Sequence, residues 1–165
     1  VAPAVRLLGS GAILNEAIKA AAILKKYEID SEIWSVTSFN LLRKNGMEVE
    51  RLNQLNPLNE NKHTYVEKCF EQNEIPTIAA TDYMRAYAEQ IRPYIKGEYI
   101  TLGTDGYGRS DSRETLRDFF EVDCESIARA AIYTLFQEGQ ITEAQIKKIY
   151  KDLKVDPNKP NPWQV

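Results

Sequence analysis

In Val5-Arg6-Leu7-Leu8-Gly9-Ser10-Gly11, residues 5–9 are a short apolar run bounded by Pro3 on one side and the Gly9-Ser10-Gly11 turn on the other. Directly after it, Ile13, Ala17, Ala20, Ala21 and Leu24 recur at helical spacing. A short run closed by turn residues suits a buried strand, whereas apolar residues at that spacing mark a helix with one packed face. Strand then helix is the opening of a doubly wound fold.

The alternation continues along the chain. Residues 32–36, 77–80 and 99–103 read as further strands, and Met84, Tyr87, Ala88, Ile91 and Ile95 mark a helix between the last two. Alternating strands and helices argue for a parallel sheet covered on both faces. Between the second and third strands the spacing predicts three short helices, over 39–44, 48–55 and 65–71, with Gly46 and Pro57 as terminators. Beyond the fourth strand come a glycine-rich loop, a helix over 113–120 and a longer one over 125–138, capped by Asp123 and ended by Gly139. Thr142 and Gln145 form a capping box for the last helix, with Ile141 placed to staple onto Ile146. Asp156-Pro157-Asn158-Lys159-Pro160-Asn161-Pro162 cannot continue that helix. The expected organisation is one α/β domain over 1–154 and an extended proline-rich tail over 155–165, without internal repeats.

Composition narrows the function classes. Of 165 residues, 43% are hydrophobic and 27% charged, which places the chain among ordinary globular proteins. With 21 basic against 24 acidic residues the net charge is −3, and a phosphate backbone needs a concentrated basic face, so no nucleic-acid partner is expected. Lys25-Lys26 and Lys147-Lys148 are read as solvated faces of helices. Cys69 and Cys124 lie far apart and His63 is the sole histidine, so neither a zinc site nor a Cys/His nucleophile pair assembles; buried free thiols in a reducing cytoplasm are the expectation. No apolar run approaches the ~20 residues that span a bilayer, and no signal segment opens the chain, so no membrane partner and no export are expected. With Val1 in first place, the chain is expected to be a piece of a longer one.

The candidate functional residues cluster in loops that should share the carboxyl edge of the sheet, where open α/β folds bind ligands. Foremost is Gly103-Thr104-Asp105-Gly106-Tyr107-Gly108-Arg109-Ser110-Asp111-Ser112-Arg113, in which three glycines permit close backbone approach and charges alternate. Its spacing fits neither the dinucleotide fingerprint nor the Walker pattern. Two readings stand side by side: ligand contact, or structural and interface use with Ser112 capping the next helix. Gly9-Ser10-Gly11 either holds an anion or is a plain turn with a Ser10 cap. Asp82 either caps a helix or points into a crevice, and Thr37-Ser38 carries the same ambiguity. No Ser/His/Asp set or metal cluster is legible.

Taken in order, Val5–Gly11, Ser35-Val36-Thr37-Ser38-Phe39, Thr81-Asp82-Tyr83-Met84, Ala88-Glu89-Gln90 and the run from Leu102 to Asp123 resemble the carboxyl-terminal domain of homodimeric-type pyruvate dehydrogenases, in the transketolase superfamily. The resemblance extends from about Val5 to the Asn-Pro near the end. It implies a three-layer α/β/α domain whose five-stranded mixed sheet has one strand running against the others. The family decarboxylates pyruvate with thiamine diphosphate and a divalent ion such as Mg2+, and passes the acetyl group to a lipoyl arm of the dihydrolipoyl acetyltransferase core. Its cofactor motif is Gly-Asp-Gly…Asn, which is absent here, so no catalytic, cofactor or metal residue is carried over and none of these ligands is expected on this domain alone. The implied partners are the other domains of the same chain, a homodimer partner and the acetyltransferase core. Asp105, Tyr107, Arg109, Ser110, Asp111 and Arg113, with Asp82, are the implied interface or active-site rim. A docking module for another subunit and an independent flavodoxin-like binder are the alternatives.

Overall fold

In the computed structural model, residues 2–70 and 74–164 are described. Four strands form one sheet in the order β2-β1-β3-β4. They are β1 (Ala4–Ser10), β2 (Asp30–Val36), β3 (Thr77–Ala80) and β4 (Tyr99–Leu102). All three pairings are parallel, with Leu7 opposite Ile33 and Ile78, and Ile78 opposite Ile100. Among the described residues there are four strands and none runs against the others, so the fifth, antiparallel strand implied by resemblance is not among them. Each crossover carries helices back over the sheet, and that geometry delivers the next strand in parallel.

The pleat sends neighbouring residues to opposite faces. On one face Val5, Leu7, Ile78, Ala80 and Leu102 pack with α1 (Ile13–Lys25), α6 (Cys124–Gln137) and α7 (Glu143–Asp152). On the other, Leu8, Ala79 and Tyr99 pack under residues of α2 (Phe39–Leu55), α3 (Tyr65–Phe70) and α4 (Arg85–Glu89). The result is the three-layer α/β/α arrangement. Arg6 sits inside the β1 run yet is only 1% exposed; its Nε donates to Glu32 at 3.2 Å and its guanidinium lies 4.0 Å from the centre of the Phe70 ring.

Helix boundaries follow their caps. Ser38, Ser112, Asp123 and Thr142 each accept a backbone N–H of the first turn, and Gln145 completes the capping box with Thr142. Gly139 ends α6 at φ +71. Other expectations are overturned. Ser10 does not cap α1, which begins after Ala12 without a side-chain cap. The predicted helices 39–44 and 48–55 are one helix, α2, because Gly46 is not a terminator: a Cβ there would stand 2.1 Å from the ring of Tyr94, which packs into the gap. The helix predicted through Ile95 stops at Glu89 and resumes only as a short 3-10 turn, Arg92–Tyr94, since Pro93 has no N–H to continue the ladder. The end of the helix predicted over 65–71 lies outside the described residues. Cys69 and Cys124 are free but half-buried rather than buried.

Candidate functional site at the carboxyl edge

The loop after β4 is fixed to the loop after β3 by its backbone. Gly103 lies so close to residues 83–85 that a Cβ would stand 2.6 Å from Tyr83 O and Arg85 N. Thr104 N donates to Tyr83 O at 2.9 Å, and Thr104 Oγ1 donates to Asp82 O. Asp105 accepts from Arg85 N at 3.2 Å, while the buried Arg85 Nε lies 3.5 Å from Asp105 Oδ2 without forming a hydrogen bond. Asp105 is thereby committed to holding the two loops together. Gly106 at φ +111 adopts a backbone form that L side chains avoid, and a Cβ there would meet Pro162 O of the tail at 3.0 Å.

A cavity of about 460 Å3 opens between these loops and α5 (Arg113–Phe119). Asp82, Tyr107, Arg109 and Arg113 all line it. Asp82 is thus not a helix cap; the cap position of α4 is Met84, with no side-chain cap. Arg109 lies over Phe119 at 4.2 Å from the ring centre. Ser110 and Asp111 turn instead toward a smaller recess of about 330 Å3, where Asp111 Oδ1 accepts from Ser112 N at 2.7 Å. Of the seven rim residues expected from the sequence, Asp82, Tyr107, Arg109 and Arg113 share the main cavity, while Asp105, Ser110 and Asp111 do not.

Residues that sequence reading missed complete the walls. Arg117 and Phe120 extend the face of α5, and Ala12 contributes from the turn after β1. Arg117 stands one helical turn beyond Arg113, so helical periodicity was the signal that could have found it. Arg117 donates to Glu16 at 3.2 Å. Glu16 is only 4% exposed and also accepts from Lys19 Nζ at 3.0 Å and Cys124 N at 3.1 Å. Burial pushes its carboxyl up, but the Lys19 bond, the Cys124 amide and the charges of Lys19 and Arg117 outweigh that and hold it below the ordinary range. The neighbouring Cys124 thiol is pushed up, by burial first and by the Glu16 charge second, so it is not an activated nucleophile.

Comparison with known proteins places this architecture. The model of the transketolase-like TK C-terminal domain matches residues 1–123, well over half of the chain. The chain belongs to the transketolase-like C-terminal domain family. Curated relatives of this family member are named pyruvate dehydrogenase E1 component. The Cupriavidus necator protein is 47% identical over 99% of the chain, the Pseudomonas aeruginosa protein 48% over 96%, and the Escherichia coli protein 43% over 96%. The chain spans 18% of the length of each of these three. Among the described residues, no helix is long and apolar enough to cross a membrane. Nor, among those residues, do three or more His, Cys, Asp or Glu side chains gather where they could hold a metal ion.

Proposed function

We propose that the chain is the carboxyl-terminal domain of a pyruvate dehydrogenase E1 component in the cytoplasm, a thiamine diphosphate-dependent enzyme that releases CO2 from pyruvate and passes acetyl to the lipoyl group of a dihydrolipoyl acetyltransferase core. The observation that carries this reading is identity of 43–48% across nearly the whole chain to proteins of that name. In this reading thiamine diphosphate and Mg2+ are held by other domains, and this domain completes the subunit and supports a homodimer. Exposed Tyr83, Met84 and Tyr107 beside the cavity support that role, because large apolar side chains grouped at one edge are what a domain or subunit interface would cover.

A domain exchange tests it. The chain would replace the equivalent carboxyl-terminal segment of the Escherichia coli relative, and pyruvate decarboxylation and acetyl transfer would be measured with cofactor present. The expected outcome is a dimeric, active chimera and an inactive counterpart lacking this segment. A folded but inactive chimera would overturn the reading. So would saturable, magnesium-dependent binding of thiamine diphosphate by the chain alone, since the cofactor site would then be encoded here.

A further inference from the structure

The carboxyl-edge cavity stands where the strand order of the sheet reverses. From β1 the chain passes through α1 to β2 on one side, and β3 lies on the other side of β1. α1 packs on one face of the sheet and α4 on the opposite face, so the turns leaving β1 and β3 part. Ala12 and Asp82, one from each of those turns, both line the cavity. Doubly wound sheets bind small molecules in the crevice that such a reversal opens.

The chemistry of the lining says which molecules. Arg109, Arg113 and Arg117 face a single carboxylate, Asp82. Arg117 is oriented by the buried Glu16, which takes one of its nitrogens. Arg109 stacks on Phe119, and neither it nor Arg113 forms a hydrogen bond or ion pair with the described residues. Their planar donor forks match the paired oxygens of a carboxylate or phosphate. Beside them Leu116, Phe120 and Val122 offer an apolar wall. The volume of about 460 Å3 lies within the range of small-molecule sites.

We propose that this cavity is a binding site for a small organic anion, a carboxylate or phosphate ester attached to an apolar body. Arg113 and Arg109 hold the anionic head, Arg117 adds charge at a fixed orientation, and the apolar body lies on Leu116, Phe120 and Val122. Asp82 opposes the head group and so limits affinity. The walls are assembled in advance: the Thr104 and Asp105 bonds tie the two loops together, and Pro162 backs Gly106. Preorganisation of this kind lowers the ordering cost of binding. The site is built from this chain's own residues and needs no metal.

The test is calorimetric titration of the chain with phenyl phosphate and with benzoate, with phenol as the uncharged control. Saturable one-to-one binding is expected for at least one anion, with Kd below about 1 mM, and none for phenol. The tighter of the two anions identifies the head group. Arg113→Gln is expected to weaken binding about tenfold or more, and Asp82→Asn to strengthen it several-fold, as roughly one charged hydrogen bond and one like-charge repulsion require. Both residues are exposed, so circular dichroism should be unchanged in both variants. Absence of saturable binding of either anion up to about 10 mM, or affinities unmoved by both substitutions, would overturn the proposal.

Discussion

Glu16 is the residue whose removal should disturb the most structure for its size. Its carboxylate joins α1 to α5 through Arg117 and to the start of α6 through the Cys124 amide, and at 4% exposure water cannot replace those bonds. Glu16→Gln leaves Arg117 partly unpaired and should cost about 2–3 kcal/mol near neutral pH, measured as a loss in denaturant midpoint at constant slope. The pH dependence has a definite sign. The folded carboxyl is held below the ordinary value of 4.5, so its stabilisation is full above that value and fades as pH falls through the folded pKa. The gap between wild type and Glu16→Gln should therefore be constant above about pH 5 and narrow below about 4.5; a gap that widened in acid would contradict the assignment. Gly46 offers a second residue-scale test, because two effects of opposite sign meet there. Alanine is a better helix former by about 1 kcal/mol, but its Cβ would stand 2.1 Å from the ring of Tyr94, a residue that is itself 4% exposed and whose hydroxyl accepts from Arg43. Overpacking of about 1–3 kcal/mol outweighs the propensity gain, so Gly46→Ala should lower the melting temperature.

Among elements, the tail beyond α7 acts as a strap. Lys159 Nζ donates to Asp118 O at 2.6 Å and Asp118 Oδ1 at 2.7 Å at the end of α5, and farther on Pro162 O backs Gly106 in the cavity loop. An exposed pair of this kind contributes about 0.5–1 kcal/mol, too little to shift global stability much. Its effect should be local: Lys159→Ala should leave the melting temperature nearly unchanged while amide exchange quickens across residues 104–108, and equal exchange in both proteins would show that the tail is not a strap. Sequence made the strands and the capped helices legible because those signals are local. Asp123, Ser112, Ser38 and Thr142 each sit in the chain a few residues from the amide they satisfy. Several of the misreadings involve a partner distant in sequence. Gly46 resembled a helix stop until Tyr94 came to fill its place, and Asp105 resembled a ligand residue until Arg85 claimed it. Arg117 entered the cavity only once α5 was laid against α1 by Glu16, a contact across 101 positions.

At the scale of the whole molecule, the two edges of the sheet are treated differently. β4 is buried at three of its four residues, whereas β2 is buried only at Val36. β2 pairs with β1 alone among the described residues, and it presents Ile33 at 41% and Trp34 at 36% exposure. An edge with unpaired backbone groups and apolar side chains is a template for another strand. Four strands were legible from the sequence, but which edge stays uncovered was not, since that depends on where α2 and α3 settle over the far face. Trp34 illustrates the point: its ring packs edge-on with Phe70 at 5.2 Å and its Nε1 donates to Glu32 at 3.4 Å, yet the side chain remains partly in water. The isolated chain should therefore self-associate through β2 as its concentration rises. Ile33→Lys places a charge on that edge without removing a buried side chain, so it should change the stability of the monomer by no more than about 0.5 kcal/mol while weakening association about tenfold. Sedimentation velocity over a concentration series reads both species directly. Identical profiles for wild type and Ile33→Lys would locate any association elsewhere, whereas loss of the larger species with an unchanged melting temperature would assign it to the open edge.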